Sequence, residues 1–125
     1  FAKSHDKTSG YGIKKNILET ALRKKKFNNF ELIKGDVFKT IPEYLRKNTK
    51  LRISFLHLDM DVFEPTKLVL NLLYSKIVKN GVILIDDYNY VNGATKATKE
   101  FLSIHKKLKI EKLKFNTRLS FIIKK

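Results

Sequence analysis

Apolar and polar positions along the chain switch between a helical spacing and near-continuous or alternating β-prone runs. Residues 13–26 place Ile13, Ile17, Leu18, Ala21 and Leu22 at helical intervals and end on a basic run, which predicts a helix. The apolar stretch 30–34, closed by Gly35 and Asp36, predicts a strand. Residues 40–48 read as a helix with Thr40 as its cap and Pro42 in its first turn. Residues 51–58 (LRISFLHL) are almost unbroken in β-prone residues, the mark of a strand covered on both faces. Pro65 and Thr66 open a helix through Leu68, Leu70, Leu72, Leu73, Tyr74 and Ile77 that stops at Asn80-Gly81. Residues 82–85 predict a second doubly buried strand, and 94–107 an amphipathic helix burying Ala97, Phe101, Leu102 and Ile104. The stretches 109–115 and 119–123 alternate around Asn116-Thr117 and predict an antiparallel pair near a sheet edge. Strands alternating with helices, then a hairpin, indicate an α/β fold with a mostly parallel sheet.

Composition narrows this picture. At 125 residues, 42% hydrophobic and 31% charged, the chain reads as a single domain with a packed core, led in by a polar, exposed or mobile stretch at residues 1–12. The absence of cysteine excludes disulfides, thiolate zinc sites and a cysteine nucleophile. No apolar run approaches the roughly 18 residues that span a bilayer, and the first ten residues carry no signal-peptide core, so a cytoplasmic location without membrane contact is expected. The net charge is +15, which would suit a polyanion. Only Arg23, Arg46, Arg52 and Arg118 are arginines, however, and the lysines are spread over the whole length. A solvated lysine surface is favoured over a dedicated phosphate groove. A basic nucleic-acid-binding or non-catalytic module stays as the alternative reading, and oligomeric state is open.

The candidate chemistry is carboxylate chemistry. Asp59 and Asp61 follow the first central strand, and Asp86 and Asp87 follow the second. Ligand crevices of open α/β sheets lie outside such carboxyl ends. A lone Asp there is more often a turn or helix cap than a catalyst. Two pairs on neighbouring strands would repel unless neutralised, and a hard divalent cation does that: Mg²⁺ by preference, with Mn²⁺ or Ca²⁺ also compatible with oxygen ligands. Asp86 and Asp87 would face opposite ways in a continuous strand, so joint ligation requires the chain to turn there. His57 is read as a core histidine, with support of Asp59 as the functional option. His5 and His105 are read as solvated. Gly35-Asp36 is similar to acidic turns beside nucleotide-type cofactors, a motif of low specificity.

LHLDMDVFEPT (residues 56–66), GVILIDDYN (residues 81–89), then Gly93, Ala97, Glu100 and Phe101, resemble the macrocin O-methyltransferase family. IKGDVFKTIPEYL (residues 33–45) is similar to that family's K-G-x-F-x-x-T-L-P stretch. Phe63 stands where the family has Tyr, and Val82 where it has a second Gly. The resemblance implies S-adenosylmethionine-dependent methylation of a sugar hydroxyl in a glycosylated or nucleotide-linked small molecule, on a Rossmann-like class I methyltransferase fold. It implies Asp59, Asp86 and Asp87 as Mg²⁺ ligands and Asp61 as general base. Gly35, Asp36 and Asp59 would lie near the cofactor, and Tyr88 near the sugar. In the family's strand order 30–34 would be the third strand and 51–58 the fourth. The first two strands, with their glycine-rich cofactor turn, have no counterpart in the sequence. The chain is therefore expected to be the carboxyl-terminal part of a longer methyltransferase domain.

Overall fold

The structure, a computed structural model, describes residues 13–125; the lead-in and His5 lie outside them. The chain divides into two units, Phe1–Asp36 and Val37–Lys125.

In the first unit, helix α1 (Lys15–Lys24) forms where the spacing predicts it, and Arg23 and Lys24 in its last turn suit the helix dipole. The helix buries no residue, and Ile13 and Ile17 are exposed. Residues 30–34 do not form the expected strand. An apolar run becomes a strand only when a neighbour accepts its ladder hydrogen bonds, and among the described residues none pairs with it. Gly35 closes the segment at φ 145°, a conformation reserved for glycine.

The second unit runs α2 (Val37–Lys47), β1 (Ile53–Leu58), α3 (Phe63–Leu73), a 3₁₀ turn (Tyr74–Lys76), β2 (Ile77–Ile85), α4 (Asn92–Ile104), β3 (Ile110–Leu113) and β4 (Asn116–Ile123). Helix α2 begins three residues before Thr40, so Thr40 is not its cap and Pro42 lies inside it. Helix α3 likewise starts at Phe63, and Pro65 falls in its first turn, where a missing N–H costs no hydrogen bond.

The sheet order is β1-β2-β4-β3. Only β1 and β2 pair in parallel; β2–β4 and β3–β4 are antiparallel, so among the described residues the sheet is mixed and the mostly parallel expectation is corrected. The terminal hairpin does not stay at the periphery: β4 inserts beside β2 and leaves β3 at the edge. Its turn falls at 114–115, ahead of Asn116-Thr117.

Registers Leu56↔Ile83↔Ile122 and Leu58↔Ile85 set these side chains on one face. Leu58, Ile83, Ile85 and Ile122 there join Val69 and Leu70 of α3 and Phe101 of α4 in a single apolar cluster. Alternate side chains of a strand leave by the opposite face. Phe55 is accordingly 57% exposed and His57 is exposed, which corrects both the doubly covered strand and the core histidine. On α4, Ala94, Ala97, Thr98 and Phe101 are buried, whereas Ile104 is exposed in the last turn. His105 is half-buried rather than fully solvated: its ring centre lies 4.5 Å from that of Tyr74 and 4.4 Å from that of Phe101, both at tilted angles.

Asn80-Gly81 does not end a helix. It lies inside β2, where the step from Ile53 to Phe55 on β1 corresponds to the longer step from Ile77 to Val82 on β2. The extra residues bulge out, Asn80 takes φ 62°, and a Cβ on Gly81 would fall 2.6 Å from Ile77 Cγ2. Lys124 fastens the bulge, its Nζ donating to the carbonyls of Tyr74 (3.0 Å) and Ile77 (2.7 Å) over the Tyr74 ring. Between the helices, Lys67 donates to Glu100 at 2.9 Å, which raises the lysine pKa through the hydrogen bond and then the charge, and gives the Glu100 of the sequence motif a structural partner.

Leu70 is fully buried at the α3–sheet contact. Leu70→Ala is expected to lower unfolding free energy by about 2–5 kcal/mol in denaturant titration; a loss comparable to that of an exposed site would refute this packing.

Candidate active site

Strand β1 ends at Leu58 and β2 at Ile85, side by side in parallel register. The ladder continues one step further, with the Asp86 N–H donating to the Leu58 carbonyl at 2.9 Å. The main chain at Asp59 therefore runs beside that at Asp86, and all four aspartates emerge at one edge of the sheet. Asp59 is exposed, while Asp61, Asp86 and Asp87 are partly buried.

Each pair is split by a turn. After Asp59 the chain makes a three-residue turn closed by Val62 N–H to the Met60 carbonyl, with Asp61 at its centre at φ 57°. A non-glycine residue in this region is strained and needs its surroundings to hold it. Ala94 N–H donates to the Asp61 carbonyl at 3.1 Å. Gly93 packs so closely that an added Cβ would collide with that carbonyl oxygen and lie 2.7 Å from Phe63 N. The amino end of α4 thus clamps the Asp61 turn, and only glycine fits in the clamp.

After Asp86 the chain leaves strand geometry as ligation would require, because Asp87 takes φ 51° and Asn89 φ 69°. Tyr90 and Val91 N–H groups both donate to the Asp87 carbonyl (2.8 and 2.9 Å). Asn89 N–H donates to Thr95 Oγ1 at 2.8 Å, tying the loop to the first turn of α4. Tyr88 points into the core, 9% exposed among the buried apolar residues, so the exposed aromatic at this edge is Tyr90.

One member of the site has no local signal in the sequence. The β2–β4 register pairs Ile85 with Ser120, and two more residues of the same register set Asp87 opposite Arg118. Arg118 Nε lies 2.9 Å from Asp87 Oδ1, and its guanidinium carbon lies 5.6 Å from the Tyr90 ring centre. Asp87 Oδ1 has almost no solvent contact, yet it receives no directed hydrogen bond among the described residues.

Oxygen-only donors at one edge, one of them shielded and without a directed donor, are chemically suited to a hard cation. The side chains are not closed around one: among the described residues no group of three or more His, Asp or Glu side chains is arranged to hold a metal ion. Gly35 and Asp36, expected near a cofactor, end the first unit, whereas Asp59 belongs to the second. A cavity of about 190 Å³ in the first unit is lined by Ile13, Lys15, Leu18, Leu32, Ile33 and Lys34, none of them a candidate site residue. No helix among the described residues is long and apolar enough to cross a membrane.

The chain is similar to crystal structures of CalS11, a TDP-rhamnose 3′-O-methyltransferase of calicheamicin biosynthesis, at 26% identity and TM-score 0.68 over 74% of its residues. It is similar in fold to the O-methyltransferase NovP, at 22% identity and TM-score 0.51 over 57% of its residues. It spans about 40% of the CalS11 chain and 29% of NovP. No curated protein sequence matches it significantly. The model of the macrocin O-methyltransferase (TylF) family matches residues 5–114, an interval containing all four aspartates, and the chain belongs to that family.

Proposed function

We propose that this chain forms part of a Mg²⁺-dependent O-methyltransferase that moves the methyl group of S-adenosylmethionine to a hydroxyl of a sugar, free in a glycosylated small molecule or linked to a nucleotide. Family membership supports the reaction class. The sugar is suggested by CalS11, whose acceptor is a nucleotide-linked rhamnose. The observation that carries the reading is the parallel β1–β2 register, which sets side by side the two strand ends that the aspartates follow.

Asp59, Asp86 and Asp87 would hold the cation. When bound, the ion would bring neighbouring sugar hydroxyls close to the site and lower the pKa of one of them. When bound, S-adenosylmethionine would supply its sulfonium methyl group to the acceptor oxygen, with the S–C bonding pair returning to sulfur and S-adenosylhomocysteine as the product. The Asp61 carboxylate takes the hydroxyl proton. Its turn is strained and clamped by Gly93, which supports a fixed backbone position for Asp61 two residues after the proposed ligand Asp59. Asp59 would border the cofactor and Tyr88 would back the sugar pocket from the core side.

In the full-length protein, Asp59→Ala and Asp87→Ala are expected to abolish methyl transfer, as should chelation by EDTA; undiminished turnover in EDTA would defeat the metal reading. Asp61→Asn should keep ion affinity while slowing single-turnover transfer by about 10²–10⁴-fold. An unchanged rate would remove Asp61 as base. Gly93→Ala should displace the Asp61 turn and slow transfer by about 10²-fold with little change in ion affinity. A Gly93→Ala protein as fast as wild type would refute the clamp.

A further inference from the structure

The β3–β4 hairpin brings a second kind of chemistry to the carboxylate edge. Strand β4 runs antiparallel to β2, so its start and the turn at residues 114–115 lie at the end of the sheet where β1 and β2 stop. Residues 112–118 (KLKFNTR) carry Lys112, Lys114 and Arg118 and no acidic residue. Two aromatic rings stand open there: Phe115 of the turn is 86% exposed, and Tyr90 of the loop after β2 is 53% exposed. A lone exposed aromatic is ordinary on a protein surface. Here one ring has a cation beside it, since the Arg118 guanidinium carbon lies 5.6 Å from the Tyr90 ring centre. The Arg118 side chain is 65% exposed, and Asp87 meets it at its inner nitrogen, Nε, at 2.9 Å. The terminal nitrogens, which can grip a phosphate bidentately, lie beyond that contact. Both ends of the ion pair are anchored: the Asp87 carbonyl accepts two N–H groups, and Arg118 N–H donates to Asn116 Oδ1 at 3.1 Å.

We propose that Arg118, Tyr90 and Phe115 form a recognition rim for a nucleoside diphosphate carried by the acceptor sugar, with Arg118 on the diphosphate and an aromatic ring against the base. This rests on the sugar methyl-transfer reading and narrows its acceptor to the nucleotide-linked class; it requires no metal ion. A glycosylated molecule without phosphate offers no anion to an exposed guanidinium on an acid-free turn, whereas a diphosphate makes charge-assisted hydrogen bonds with it. Every base has a π-face, so an open ring beside that cation is a stacking surface for the nucleoside. The sheet order sets the direction. Asp59 follows β1 on one side of β2, and the hairpin lies on the other side, beyond Asp87. A sugar at the β1–β2 strand ends therefore extends its nucleotide toward the hairpin, away from the strand whose end bears the residue assigned to the cofactor.

The test is calorimetric titration of the full-length protein with thymidine 5′-diphosphate (TDP), with thymidine and inorganic pyrophosphate as controls. Wild type is expected to bind TDP with Kd below about 1 mM and about tenfold more tightly than either control. Arg118→Ala should weaken TDP binding by about tenfold, Arg118→Lys by less, and both should leave thymidine binding unchanged. Tyr90→Ala combined with Phe115→Ala should weaken TDP binding by about tenfold and leave pyrophosphate binding unchanged. With TDP-rhamnose as acceptor, Arg118→Ala should raise KM more than it lowers kcat. Equal TDP binding by wild type and Arg118→Ala would overturn the proposal. So would pyrophosphate binding as tight as that of TDP, since the attraction would then be charge alone. Methylation of a sugar by a protein that does not bind TDP would overturn the rim and leave the methyl-transfer reading standing. TDP binding as expected, without methylation of TDP-rhamnose, would support the rim and count against that reading.

Discussion

The parallel pairing of β1 with β2 is the constraint on which the rest of the structure depends. It alone decides that Asp59 and Asp86 leave the sheet side by side, since the ladder runs unbroken from Phe55↔Val82 to the Asp86 N–H on Leu58. A slip of one residue would turn every side chain of β1 to the other face and carry Leu58 out of the apolar cluster. Burial of Leu58, Ile83 and Ile85 beneath α3 and α4 therefore fixes the register, and the register fixes the site. The ordinary energetics of an apolar core are what position the acidic groups.

The loops past the strand ends spend some of that stability. Asp61 and Asp87 both sit in the left-handed region, where a side-chain-bearing residue is strained by about 1–3 kcal/mol. The amino-terminal turn of α4 holds both: Gly93 and Ala94 grip the Asp61 turn, and Thr95 takes the Asn89 N–H of the other loop. One helix end thus fixes two carboxylate loops. Strained residues at the open end of a sheet, held by a rigid element behind them, are what a pre-organised site requires.

Much of this was legible in the sequence because its signals are local. Acidic pairs directly after two β-prone runs, with Asn89 and Gly93 soon after the second, marked the sheet edge and the turn at Asp87. The misreadings arise where the outcome depends on distant partners. Residues 30–34 carry strand composition but no pairing partner among the described residues. Asn80-Gly81 has the chemistry of a helix stop, and the same left-handed preference serves a bulge inside β2. The burial of β1 was overestimated since composition cannot tell an edge strand with one covered face from a central one. Arg118 is invisible from sequence, because only the β2–β4 register carries it to Asp87.

The most direct measurement is anomalous diffraction from crystals of the full-length protein soaked in Mn²⁺. The account predicts one peak at the β1–β2 edge, with oxygens of Asp59, Asp86 and Asp87 at about 2.1–2.2 Å. No peak at that edge at saturating ion would contradict it.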